Sequence, residues 1–296
     1  MIRGSRWVPS AVLMSLWLLG ACSFKRVDPE ELPPVDAPPV ICGDLICDPH
    51  ALCLTNPTHC VCAQGFTGDG FQCADIDECE TANGGCAATC VNRDGTYTCY
   101  APRTCADVRD VVPGWNGGEV KLYVGSDPTK PWTAYCTKED LEYLPLTATA
   151  VNYSMYKGDP GEQDVTTTFT KIRIDPATLL VEISDQTYST STGTLRHGNG
   201  GPLVRSMPYA VAMDCRGPNS AQGRASIDLT GTPFVVDQSF KRVGSSPGGS
   251  VTVIDNSRRL DITGGGNCGW NAPEETPYNP YNKITPSSVL QLKYQP

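Results

Sequence analysis

Three carboxylates crowd around one isoleucine in Asp75-Ile76-Asp77-Glu78, between Cys73-Ala74 and Cys79. A hard cation such as calcium needs about six to eight oxygens, some charged and some from backbone carbonyls, and an acidic run of this kind offers them. The plain alternative is a solvated acidic linker. Fifteen cysteines supply the next chemistry. They are metal thiolates in a reducing compartment or disulfides in an oxidising one. His50 and His59 lie among the first six of them, but the gaps lack the paired C-x2-C knuckles of a zinc site. The chain has three histidines, His50, His59 and His197, and no two have the helical spacing of a zinc hydrolase. Gly244-Ser245-Ser246-Pro247-Gly248 matches G-x-S-x-G, yet Pro247-Gly248-Gly249 starts a helix poorly and no histidine follows His197. That segment reads as a mobile loop. Gly264-Gly265-Gly266 lacks the lysine and serine of a phosphate loop and reads as a tight turn before Cys268. The acidic stretch Gly158–Asp164 reads as a surface turn rather than a second cation site. Trp115, Trp132 and Trp270 read as core rather than sugar platforms. No catalytic constellation emerges, so no enzyme activity is expected.

The elements that must position these residues follow from composition. The chain has 296 residues, 29 glycines, 25 prolines and a formal charge of -9. Glycine and proline at that level favour turns and short strands over long helices. The acidic balance argues against nucleic acid and against anionic lipid as a docking surface. Arg3 and Arg6 head an apolar run from Ala11 to Ala21, too short to span a bilayer, which takes about 20 apolar residues. The run ends in Leu19-Gly20-Ala21-Cys22, which resembles the bacterial lipobox. The resemblance implies that residues 1–21 are a signal peptide and that Cys22 is lipidated, which accounts for the odd cysteine. Several acyl chains anchor stably where one does not. Losing Arg3 and Arg6 takes the charge from -9 to -9 - 2 = -11. Ser23 after the cysteine is compatible, in that family, with passage to the outer membrane. Residues 22–41, with prolines 29, 33, 34, 38 and 39, read as an extended tether.

Residues 42–73 carry Cys42, Cys47, Cys53, Cys60, Cys62 and Cys73. Spacing alone leaves the connectivity open. The segment from Cys60-Val61-Cys62 through Gly65-Phe66-Thr67-Gly68 to Cys73 resembles the EGF-like module, a small two-hairpin fold held by staples. The resemblance implies Cys42–Cys53, Cys47–Cys60 and Cys62–Cys73. Residues 75–103 hold Cys79, Cys86, Cys90 and Cys99. With the acidic opening, Asn92 and Tyr97, they resemble the calcium-binding EGF pattern. That likeness implies side-chain oxygens from Asp75, Glu78 and Asn92, carbonyls from Ile76, Arg93 and Thr96, and Tyr97 packed nearby. It implies one structural calcium, since no such opening precedes Cys42. Ala101 stands where the family has its fifth cysteine. The second module is thus truncated to Cys79–Cys90 and Cys86–Cys99, a loss of about 2–4 kcal/mol of staple.

Residues 104–296 have four cysteines and enough length for a core. Thr104 suits an N-cap for a short helix through Val111. Short alternating runs follow at Val120–Val124, Trp132–Cys136, Tyr143–Ala148, Lys171–Ile174, Leu179–Ile183, Tyr209–Cys215, Ala225–Leu229, Phe234–Asp237, Val251–Ile254, Leu260–Ile262 and Val289–Tyr294. They predict a β-sandwich-like domain. Gly118-Glu119-Val120-Lys121-Leu122-Tyr123, Ala134-Tyr135-Cys136, Met213-Asp214-Cys215 and Gly265-Gly266-Asn267-Cys268-Gly269 are landmarks that resemble the GON domain. That domain ends certain ADAM-type metalloproteases with thrombospondin repeats and also occurs in bacterial proteins. The likeness is taken over nearly all of 104–296 and carries no protease activity with it. Cys105–Cys136 and Cys215–Cys268 are the expected bridges.

The expected fold is thus mostly β, two disulfide-rich EGF-like modules followed by a β-sandwich-like GON domain. The expected role is a lipid-anchored protein of the bacterial outer membrane or cell surface. A calcium-stiffened stalk displays a binding domain to an unidentified protein or glycan, with no nucleic-acid partner. The rival readings are an accessory module of a separate secreted zinc metalloprotease and an enzyme of unrecognised mechanism within 105–296.

Overall fold

The computed structural model describes residues 37–112, 114–198, 200–274 and 289–296. The chain divides into two compact units, residues 1–74 and 75–296. In the first, the tether ends earlier than its composition suggests: Val40 and Ile41 already belong to a strand, Val40–Cys42, paired with Leu45–Cys47. The main hairpin pairs Ala51–Thr55 with Thr58–Cys62. Disulfides join Cys42 to Cys53, Cys47 to Cys60 and Cys62 to Cys73. Its buried centre is Cys42, Cys47, Ala51 and Cys60, so sulfur makes up most of what little core exists. Asp48 closes the unit: its carboxylate accepts from His50 N–H at 2.8 Å and Cys73 N–H at 3.1 Å. Those two backbone donors hold its pKa below the usual carboxylate value.

The second unit begins with a hairpin, Thr89–Arg93 against Thr96–Tyr100, stapled by Cys79–Cys90 and Cys86–Cys99. Where a further bridge is missing, the chain is tied onward instead. Pro102 O accepts from Tyr123 N–H at 2.8 Å. Thr104 and Asp107 form a capping box on helix Cys105–Val111, and Cys105 is bridged to Cys136. Glu142 accepts from Cys105 N–H at 2.8 Å, fixing the helix start to the sheet behind it. Burial raises the pKa of that carboxyl.

Two sheets share one core. The seven-stranded sheet runs in the order Phe234–Val236, Val289–Tyr294, Leu180–Glu182, Lys171–Asp175, Glu142–Pro145, Pro131–Cys136, Gly118–Tyr123. Alternation decides which face is buried: in Pro131–Cys136 the second, fourth and sixth residues face the core. Trp132 is 2 % exposed and meets Phe234 edge-on at 5.5 Å, so it is core. Trp115 and Trp270 pack on the same core, half-buried.

The larger sheet runs Phe240–Val243, Gly269–Pro273, Ala212–Asp214, Tyr153–Lys157, Gly223–Asp228, Arg259–Gly265, Gly248–Ile254, with Val165–Phe169 and Ser189–Thr192 branching beside Tyr153–Lys157. Its two outermost strands, Phe240–Val243 and Gly248–Ile254, are consecutive in sequence with only residues 244–247 between them. Four residues reach at most about 17 Å counting both end bonds, so the sheet must curl until its edges face each other. Arg242 Nη1 donates across to Gly249 O at 3.3 Å. The G-x-S-x-G match is this short connection, with a strand on both sides and no helix after the serine. The glycine run also sits differently from its reading as a turn. Gly264 and Gly265 lie inside strand Arg259–Gly265, and the turn comes later, with Gly269 N–H bonded to Gly266 O. A Cβ on Gly265, at φ +126°, would lie 1.9 Å from Asp214 Cβ, so glycine is what lets the two strands meet.

Strands Tyr153–Lys157, Val165–Phe169, Phe240–Val243 and Gly269–Pro273 carry much of this sheet, and no alternating apolar run announces them. Of Tyr209–Cys215 only Ala212–Asp214 is strand. Gly158–Asp164 is a loop held by Asp164, which accepts from Lys157 Nζ at 2.6 Å and Gly158 N–H at 3.2 Å.

Polar groups fix the interior. Asn152 is fully buried. Its Nδ2 donates to Ala148 O and Asp228 O, both at 2.9 Å, and its Oδ1 accepts from Asp228 N–H at 2.9 Å and Tyr209 O–H at 2.8 Å. Tyr156 places its hydroxyl 2.7 Å from His197 Nδ1 and 2.7 Å from Cys215 Sγ, beside the Cys215–Cys268 bridge. Burial lowers the His197 pKa and so favours the neutral ring.

Asn152→Ala leaves several buried partners unmatched and is expected to cost about 3–5 kcal/mol in chemical denaturation; a loss below about 1 kcal/mol refutes the role given to this amide. For His197 the unfolded chain binds the extra proton below its ordinary value of 6.5 while the folded chain does not. Stability is therefore full above that pH and falls as pH drops below it. His197→Gln is expected to flatten that limb of a stability–pH profile.

Candidate metal centre

The acidic opening folds onto the tip of the second module's hairpin. Asp75 Oδ1 accepts from Gly95 N–H at 2.6 Å, and Oδ2 accepts from Asn92 Nδ2 at 2.7 Å. Arg93 and Thr96 are the last paired residues before the tip, so their carbonyls flank the turn that Asp75 grips. The short turn Glu78–Glu80 packs against strand Thr89–Arg93. Asp77 takes no part in the cluster. Its Oδ1 caps Cys79 N–H at 2.9 Å, ordering the turn that carries Glu78. Tyr97 lies against Gly84: a Cβ there would approach the ring at 2.9 Å. Ile76 is exposed.

Glu78 Oε2 and Asn92 Oδ1 are both buried and have no hydrogen-bond partner. Buried oxygens are nearly always paired, and two orphaned acceptors in one small module call for a donor or a cation. They belong to two of the three side chains that the calcium pattern implies, and the third, Asp75, is hydrogen-bonded to one of them. These residue types are ones that suit a hard cation held by oxygen. The positions that sequence reasoning missed are Gly95, whose N–H orients Asp75, and the capping role of Asp77. Both act on backbone groups, which spacing between acidic residues does not reveal.

A second set of metal-ligating types, His197, Cys215 and Cys268, has ligand atoms within 4.8 Å of one another. Both sulfurs are joined in one disulfide, so the thiolates that a soft cation needs are not available.

Comparison with known proteins locates the two kinds of module. Residues 158–278 match the GON domain, and residues 58–78 match the Complement Clr-like EGF-like family. The first match leaves out residues 118–157, although Leu122, Trp132 and Tyr156 are buried in the same core. The second covers the end of the first module and the acidic run up to Glu78. Dog thrombomodulin is 50 % identical over 54 residues, 18 % of this chain and 8 % of the relative. Rat uromodulin is 40 % identical over 72 residues, 23 % and 11 % respectively. Mouse stabilin-2 is 46 % identical over 54 residues, 18 % and 2 %. The chain thus spans only a small part of these relatives. No solved structure matches it. The matches and the fold agree on a mostly β chain in which a disulfide-rich EGF-like region precedes a β-rich GON domain.

Proposed function

We propose that this chain is a membrane-anchored binding protein of the cell envelope. Lipid on Cys22 holds it to the outer membrane or cell surface, and the proline-rich stretch gives it reach. A structural calcium stiffens the EGF-like stalk, and the GON domain meets a protein or glycan partner. Cys22 lies outside the described residues. EGF-like and GON modules are the kind found in extracellular binding and adhesion, and the relatives in which the likeness occurs support that reading. The observation that carries the calcium-stiffened stalk is the pair of buried partnerless oxygens, Glu78 Oε2 and Asn92 Oδ1, the second on the side chain that donates to Asp75.

An ion there supplies positive charge to three side chains and needs no catalytic step. Asp75, Glu78 and Asn92 would hold it, with the Ile76, Arg93 and Thr96 carbonyls completing the shell. Extracellular modules bind calcium at about 10⁻⁴–10⁻³ M. At ten times the dissociation constant, linkage contributes about 1.4 kcal/mol, useful to a module with two bridges instead of three.

Calorimetry on the full chain in detergent is expected to show one calcium site in that range, lost in both Glu78→Ala and Asn92→Ala. Absence of a calcium heat in the native chain returns the joint to a plain linker. For the anchor, Cys22→Ser is expected to move the protein from the membrane fraction to the soluble fraction of cells. Retention of the variant in the membrane fraction removes the lipid from the proposal.

A further inference from the structure

The larger sheet curls but does not close, and the gap between its edges is a cavity of 460 Å³. That lies within the usual range for small-ligand sites, about 300–1,000 Å³. One side is strand Phe240–Val243, the other is strand Gly248–Ile254, and Leu260 and Asn271 form the floor. The walls are mixed. Phe240, Val251 and Leu260 are apolar, while Arg242 and Asn271 are polar.

Two features of the polar pair point to a ligand. Asn271 is 1 % exposed, and its Nδ2 donates to Thr263 O at 3.2 Å, but its Oδ1 is buried and accepts nothing. A buried acceptor of this kind is paired by a water or by a ligand's donor where the chain supplies none. Arg242 stands directly across from Asn271 in the strand register, so the two side chains leave the same face of the sheet. The guanidinium is exposed and has five N–H donors, one of which reaches Gly249 O. The cavity therefore presents a buried acceptor and a fixed cation side by side, flanked by an aromatic ring.

We infer that this cavity binds an acidic sugar, a pyranose carrying a carboxylate. A ring hydroxyl donates to Asn271 Oδ1. The carboxylate accepts paired N–H bonds from Arg242, the geometry in which arginine is strongest. The C–H face of the ring lies on Phe240 and Val251. A neutral sugar leaves the guanidinium unmatched, and a basic ligand is repelled by it. Because the chain as a whole is acidic, at -9, long-range attraction does not bring an anion here; the local pair selects it. This inference rests on the reading of the GON domain as a binding domain and names what it binds.

The test uses the full chain and three probes: glucuronate, glucose, and an oligosaccharide ending in glucuronate, followed by calorimetry and saturation-transfer NMR. Saturable millimolar binding of glucuronate is expected, with glucose about tenfold weaker. Arg242→Met, an exposed position, is expected to weaken glucuronate about tenfold and leave the thermal midpoint unchanged. Asn271→Ala is expected to weaken both sugars; should it not fold, the Arg242 variant still decides. A tighter oligosaccharide points to the end of a glycan chain and equal affinities to the free sugar acid, each in support. Three results overturn the inference: no saturable glucuronate binding, equal binding by Arg242→Met, or equal displacement by an acidic peptide. Calcium binding measured on the same samples separates the two readings, since an intact calcium site with no sugar binding removes this inference alone.

Discussion

One buried amide organises the larger sheet. Asn152 meets two carbonyls, one backbone N–H and the Tyr209 hydroxyl with all of its hydrogen-bonding capacity. Those partners come from the turn before strand Tyr153–Lys157, from strand Gly223–Asp228 and from the approach to Ala212–Asp214. A hydrophobe of the same size would fill the volume and leave four polar groups unmatched in a low-dielectric interior. Ser154 and Thr167 repeat the device nearby, accepting from Val211 N–H and Met207 N–H. The sheet is therefore specified by directed bonds as well as by apolar area. That suits a chain whose strands are short and whose connections are many.

The EGF-like modules obey a different constraint. They are too small to bury much apolar surface, so covalent bridges replace a core. In the first module three of the four residues in the buried apolar cluster are half-cystines. The second has two bridges and makes up the difference in two ways. Its downstream end is pinned by Pro102, the Thr104–Asp107 capping box and the Cys105–Cys136 bridge. Its upstream end ties Asp75 to Asn92 and Gly95, and leaves Glu78 Oε2 and Asn92 Oδ1 buried without a partner. A module lacking one staple leans on what is next to it at both ends.

How much of this was legible depends on the kind of signal. Cysteine spacing and a capping residue are local, so the EGF-like region and helix Cys105–Val111 can be read directly. The hairpin Lys171–Asp175 with Leu180–Glu182 is legible for the same reason, since alternation and an Asp-Pro turn sit side by side. Strands Tyr153–Lys157 and Val165–Phe169 are not, because Ser154 and Thr167 occupy core positions and break the apolar alternation. At the acidic joint the positions of Asp75, Glu78 and Asn92 follow from a known spacing. The use of Asp77 as a cap does not, because aspartate serves either purpose with the same atoms. Arg242 and Asn271 are neighbours only through strand register, which no spacing along the chain encodes.

The four-residue link between Phe240–Val243 and Gly248–Ile254 has a further effect on how such molecules coexist. Open sheet edges are templates for pairing with another chain. By tying the outermost strands of the larger sheet together, the link turns both edges inward on a narrow slot. That leaves Ser189–Thr192, paired on one side only and mostly exposed, as the edge of the larger sheet open to another strand.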